Sequence, residues 1–136
     1  MDEFHISKTK KIIVVKLDVT VATLRDAQPF WDEFESNLLF RQDKIIVDLS
    51  SCNHVDSTFI GMVIKIFRKV KEGNGELKLV FPQMESTIQF WTLGITKIIS
   101  CFNSLEEAIN SFEHDAPLRK VDFDEGFNLS LSLNDA

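Results

Sequence analysis

The chain has 136 residues, 44% of them hydrophobic and 26% charged, with a formal net charge of −6; this is the size and balance of one globular domain with a sizeable core. The acidic balance, with no basic cluster and no Arg/Lys stripe interleaved with aromatics, argues against nucleic-acid binding and against an anionic membrane surface. No uncharged apolar run approaches the roughly 20 residues of a membrane span, and the opening "MDEFHISKTKK" lacks a basic-then-apolar signal pattern, so a cytoplasmic location is expected.

In chain order, "FHISKTK" (4–10) is an additional first strand of weak pattern. "KIIVVKLDV" (11–19) and "DKIIVDLSS" (43–51) are short β-branched runs bounded by charge, read as strands buried on both faces. Between them, "TLRDAQPFWDEFESNLLF" places Leu24, Ala27, Trp31, Phe34 and Leu38 at helical spacing, while Pro29 predicts a late start or a kink. "TFIGMVIKIFRKVKE" (58–72) predicts a helix with Phe59, Met62, Val63, Ile66, Phe67 and Val70 on one face and cations toward its C-terminal half, where they complement the helix dipole. The five apolar residues from Phe59 to Phe67 exceed one narrow stripe, so one of them, Phe59, is expected to stay partly exposed.

Gly73-Asn74-Gly75 then turns the chain into "GELKLVFP" (75–82), a strand halted by its proline. "MESTIQFWTLGI" (84–95) predicts a short amphipathic helix ending at Gly94, and "KIISCF" (97–102) a brief strand. "SLEEAINSF" (104–112) opens as a capping box, Ser104 with Glu107 three residues on. The order predicts an α/β fold over residues 1–113: a mixed, mostly parallel sheet of four to five strands with about four helices packed against it. Beyond about residue 113 the pattern fades, and residues 113–136 hold six acids against two bases. Residues 114–136 read as a mobile acidic tail that adds at most a short strand or helix, with Val121, Phe123 and Phe127 free to dock on the body.

The polar residues concentrate between the second long strand and its helix, where His54, Asp56, Ser57 and Thr58 follow one another closely. Three readings compete. As a hydrolase triad the cluster is poor, because triad members come together from different elements and no G-x-S-x-G elbow surrounds Ser57. As a helix cap it is ordinary, since an Asp or Ser oxygen satisfies the open amides of a first turn. As a modification site it is well placed, since a phosphate on a first-turn serine lies beside free N–H groups at the positive end of the dipole, although Asp56 repels it. Cys52 and Cys101 belong to no metal-ligand or C-x-x-C spacing and read as buried free thiols. No metal, no cofactor and no catalytic residue is expected.

The segments "KIIVDLSSCNHVDSTFIGMVIKIFRKVKEGNGELKLVFP" and "TLGITKIISCFNSLEEAI", with "LDVTVATLRDA" (17–27) upstream, resemble the STAS family of bacterial anti-sigma-factor antagonists over about residues 4–113. The matching pieces are "VDLS", "VDST" with Gly61 one turn later, the glycine turn before "LKLV", "LGITKII" and "SLEEAI". The resemblance implies a passive partner switch in transcription control. The unphosphorylated protein would bind an anti-sigma factor that is also a serine kinase, phosphorylation at Ser57 (or, as the alternative acceptor, Thr58) would release it, and a phosphatase would reset it. Asp56, Phe59 and Met62 would then belong to the docking surface. Two departures stand out: Phe59 occupies a position where the family commonly has glycine, and Lys16 precedes the "L-D" pair where glycine is usual. The family also contains domains tied to anion transporters and phospholipid-transport complexes, so a non-catalytic accessory subunit of a membrane transport complex is the alternative. Ligand sensing has no supporting feature.

Overall fold

The computed structural model describes residues 3–83, 90 and 92–121. Strands β1 (Phe4–Thr9) and β2 (Ile12–Leu17) form an antiparallel hairpin. Its two-residue turn, Lys10-Lys11, has φ of 51° and 67°, the left-handed geometry that matches strand twist and usually draws Asn-Gly.

Then follow β3 (Val21–Ala22), α1 (Leu24–Ser36), a 3-10 turn (Leu39–Arg41), β4 (Lys44–Asp48), β5 (His54–Val55), α2 (Ser57–Glu72) and β6 (Glu76–Val80). A second 3-10 turn (Ile95–Lys97), β7 (Cys101–Phe102) and α3 (Leu105–Val121) complete the order. The main sheet runs β1-β2-β4-β6-β7, with every pair parallel except β1 with β2.

The mixed, mostly parallel sheet agrees with the sequence pattern, with five strands in the main sheet. Three α-helices occur among the described residues against about four expected, because the helix over 84–95 falls largely outside them; there, Phe90 and Thr92 are helical. The strand over 97–102 shrinks to its last two residues, since Ile95–Lys97 winds into a 3-10 turn after left-handed Gly94.

Strand alternation sorts the side chains into two cores. Val15, Leu17, Ile45, Val47, Leu77 and Leu79 join Phe30, Phe34 and Phe59 on the side of α1 and α2, whereas Ile12, Val14, Ile46 and Val80 meet Ala108 and Phe112 of α3. Lys78 is buried on the α3 side, where its Nζ donates to Ser111 Oγ and lies 4.2 Å from the centroid of the Phe112 ring, a cation–π contact that accommodates the charge.

Of the two effects expected of Pro29, the late start does not occur: α1 begins at Leu24 and runs through the proline to Ser36. Thr23 Oγ1 accepts from the Arg25 amide at 3.2 Å while Asp26 Oδ2 accepts from the Thr23 amide at 2.9 Å, and this reciprocal cap fixes the start at Leu24. The inward stripe is Ala27, Phe30 and Phe34, whereas Leu24 and Leu38 are exposed. At the far end of α2 the left-handed residue is Asn74, at φ 68°. Gly75 is required for space, since a Cβ there would lie 2.5 Å from the Gln42 carbonyl oxygen. The last helix keeps one half of the expected capping box: the Glu107 amide donates to Ser104 Oγ at 3.2 Å, but Glu107 Oε1 accepts from the Asn103 amide, one residue before the cap, instead of from that of Ser104. The helix extends well past residue 113, to Val121.

Candidate functional site

The site is assembled by a two-strand parallel ladder that the sequence pattern did not reveal. Strands β3 and β5 pair Val21 with His54 and Ala22 with Val55. Flanking bonds extend the zipper: the Asn53 amide donates to Thr20 O at 2.7 Å and the Asp56 amide to Ala22 O at 2.9 Å. The loops leaving β2 and β4 are thereby joined, and α1 and α2 begin side by side at the carboxyl edge of the sheet, the edge where α/β proteins meet their ligands.

Asp56 occupies the junction. Its Oδ1 accepts from the Phe59 amide at 2.8 Å, capping α2, and its Oδ2 accepts from the Leu24 amide at 3.0 Å, capping α1. Two helix N-termini, each carrying roughly half a positive elementary charge, converge on one carboxylate. A second negative charge beside Asp56 therefore meets less repulsion than the bare sequence implies.

Ser57 and Thr58 are the first two residues of α2, and both are exposed. The helical ladder begins with the Ile60 amide donating to Asp56 O at 3.1 Å, and the Phe59 amide is taken by the cap. The amides of Ser57 and Thr58 have no acceptor among the described residues, as expected at a helix start. One turn on, Gly61 is exposed and a Cβ there would touch nothing within 4 Å. It has a negative φ and open space, so neither backbone geometry nor crowding demands glycine. Its effect is to leave the helix surface flat between Ser57 and Lys65.

The sequence-predicted docking residues divide. Asp56 is half-buried and engaged in capping. Met62 is half-buried and packs against the core while keeping an open flank. Phe59 is not an exposed anchor: it is 0% exposed and its ring lies 5.2 Å from that of Phe30. The reason is helical phase, because Phe59, Val63, Ile66 and Val70 form the stripe that faces the sheet. The partly exposed members of that helix are instead Met62, Ile64 and Phe67.

The apolar groups that do face solvent beside the junction are Leu24, 66% exposed, and Val21, 47% exposed. Leu24 reads in sequence as the first residue of a buried stripe. The signal that places it outside was present: Thr23 with Asp26 three residues on is a capping pair, which makes Leu24 a first-turn residue.

As a catalytic constellation the cluster does not assemble. Among the described residues no hydrogen bond joins His54, Asp56 and Ser57, and both Asp56 oxygens are occupied by backbone amides. Exposed His54 lies on β5. No group of three or more His, Cys, Asp or Glu residues there could hold a metal ion. Cys52 is buried, Cys101 half-buried, and both are free. Desolvation pushes both thiols up to about 12, with Asp26 and Asp48 adding to the effect at Cys52, so both stay protonated at neutral pH and are poor nucleophiles. No helix among the described residues is long and apolar enough to cross a membrane.

No curated protein matches the chain. Solved structures do. An anti-sigma factor antagonist from Mycobacterium paratuberculosis superposes with a TM-score of 0.70 at 14% identity, over 79% of this chain and 91% of that one. The Bacillus cell fate determinant SpoIIAA, in its phosphorylated form, gives 0.60 at 18% identity over 80% and 98%. The murine anion transporter Slc26a9, inward-facing, gives 0.67 at 13% identity, with 79% of this chain matching 18% of the transporter. At these identities the likeness is one of fold. The STAS domain family model matches residues 5–108, and with most of its length inside that match the chain belongs to the STAS domain family.

Proposed function

We propose that this protein is a phosphorylation-regulated binding switch of the anti-sigma-factor antagonist kind, without catalytic activity of its own. The observation that carries the reading is the placement of Ser57: an exposed hydroxyl on the first turn of α2, beside two open amides, at the joint start of two helices. A phosphate there gains N–H donors and two converging dipoles, and it changes the surface charge without touching either core.

The docking surface comprises Ser57, Thr58, the flat strip at Gly61, the open flank of Met62 and the exposed side chain of Leu24. Its partner is an anti-sigma factor with serine kinase activity, and a phosphatase resets it. The solved phosphorylated form of the Bacillus neighbour supports the view that this fold accommodates the modification.

The test is incubation with a serine kinase of the anti-sigma-factor type and ATP, with mass-spectrometric mapping of the modified residue and binding assays on two variants. Ser57 should carry the phosphate, Ser57→Ala should bind constitutively, and Ser57→Asp should bind more weakly. Modification at Thr58 alone would move the acceptor by one residue. An unmodified chain whose two variants bind alike would sink the switch.

The transporter neighbour favours a second reading, in which the domain is an accessory subunit of a membrane transport complex. Co-purification with a transporter, unaffected by Ser57→Asp, would select it.

A further inference from the structure

We propose that the outer face of α1 and α2 docks a second copy of this chain, in a two-fold pair that sets the acidic ridge of each α1 on the basic ridge of the other α2 and covers Ser57. The two helices stand at equal heights. Strand pairing matches Val21 with His54 and Ala22 with Val55, and the same offset carries Leu24, the first residue of α1, to Ser57, the first of α2. Along the solvent side it then matches Gln28 with Gly61, Asp32 with Lys65 and Glu35 with Arg68. All of these are exposed, and their spacing puts each set on one face of its helix.

The two ridges carry opposite charge. Asp32 and Glu35 stand on α1, Lys65 and Arg68 on α2, and among the described residues none of the four joins an ion pair within the chain. Asp32 Oδ1 accepts from the neutral Gln28 side-chain amide at 3.0 Å, and Lys65 Nζ rests 5.0 Å from the centroid of the Trp31 ring. These contacts hold the charges on the face without cancelling them. A face with an acidic and a basic ridge side by side is complementary to its own two-fold image, which makes a second copy the fitting occupant. An axis parallel to the helices lays each α1 on the α2 of the other copy at equal height, so that Asp32 meets Lys65 and Glu35 meets Arg68, each pair formed twice. The perpendicular axis lays like helix on like helix and gathers both basic ridges together.

Gly61 is a second, independent observation. Nothing in its own fold calls for glycine, since a Cβ there would meet nothing within 4 Å. Across the pair, Leu24 of the second copy comes down on the flat strip between Ser57 and Gly61, where a side chain at position 61 would hold the helices apart. Leu24, 66% exposed in the single chain, thereby gains apolar cover at one end of the face while the ion pairs form at the other. The face is about 20 Å long and about 20 Å wide, the low end for a specific interface, so the dimer forms and dissociates with concentration. The pairing does not depend on Ser57 being a phosphate acceptor; where it is one, a partner at Ser57 and the second copy exclude each other.

The test is sedimentation equilibrium of the full chain from about 1 μM to about 1 mM, beside three variants: Asp32→Lys with Glu35→Lys, Lys65→Glu with Arg68→Glu, and Gly61→Gln. The parent chain should dimerise reversibly, and more weakly as salt screens exposed charges. Each double variant sets like charge against like across the axis and should raise the dimer dissociation constant about tenfold or more. Mixed in equal amounts, the two double variants should pair with each other at parental strength, because every contact across the axis is again opposite in sign; this recovery separates lost pairing from lost folding. Gly61→Gln should keep or raise the urea midpoint and lose the dimer. A parent chain that stays monomeric to the top of the range overturns the proposal. So does a dimer that either double variant leaves unchanged, a mixture that fails to pair, or a folded Gly61→Gln chain that dimerises like the parent.

Discussion

Asp56 Oδ2 accepts from the amide of Leu24, 32 residues earlier, at 3.0 Å, while the other oxygen of the same carboxylate caps its own helix. A single helix cap contributes about 1 kcal/mol, so Asp56→Ala should cost about 2 kcal/mol, and Asp56→Asn, which keeps one acceptor oxygen, about half of that. Urea unfolding of the three proteins measures both. A loss of about 1 kcal/mol or less for Asp56→Ala would mean that the bond to Leu24 contributes nothing.

Phe59 and Leu24 should exchange the roles that sequence pattern assigns them. Phe59→Ala removes a fully buried ring and should cost about 3–5 kcal/mol. Leu24→Ser alters an exposed side chain and should change stability by less than about 0.5 kcal/mol while weakening partner binding. Thermal melting and a binding titration on both variants decide it. A stable Phe59→Ala protein with lost binding would restore Phe59 as the anchor.

The β1–β2 turn holds two lysines in a backbone conformation that costs a side-chain-bearing residue roughly 1–2 kcal/mol. Lys11→Gly relieves one of them and gives back part of the gain as unfolded-state entropy, leaving a net stabilisation of about 0.5–1 kcal/mol. Lys11 is the informative position because Lys10 is also paired with Glu113. The measurement is the urea midpoint; a fall would show that the Lys11 side chain contributes more than its strain costs.

The two thiols set a limit on alkaline stability. Each is raised from 9.0 to about 12 in the folded chain, so unfolding releases a proton only above the ordinary value. Their contribution is fully present below pH 9.0 and is lost as the pH climbs through the window up to about 12. Cys101→Ala should show a shallower fall in urea midpoint above pH 9.0 than the parent chain. Parallel curves would remove the thiol from the account.

Where the sequence carried a strong local code, it was legible. The β-branched runs at Ile12–Leu17 and Lys44–Asp48, the stripe from Val63 to Val70 and the Ser104 cap each appear as read, because burial and capping act within a few residues. The β1 hairpin had a faint pattern, since Lys-Lys replaces the usual turn signal. The ladder of Val21–Ala22 with His54–Val55 could not be seen, because two-residue strands have no period and their pairing joins residues 33 apart in number. The position of Ser57 at the start of α2 was legible from "VDST". The second duty of Asp56 was not, since it depends on a helix from elsewhere in the chain. Phe59 was misplaced because six apolar residues left the inward phase of the helix ambiguous.

The ladder between β3 and β5 has a further consequence. By fastening the two crossover loops together, it removes the slack that a hinge at this edge would need: the backbone at Ser57 cannot shift without dragging Leu24 and the first turn of α1 with it. A mark written on Ser57 would then have to be read by contact, as a change of shape and sign on a fixed face, since the platform beneath it offers no lever to pull.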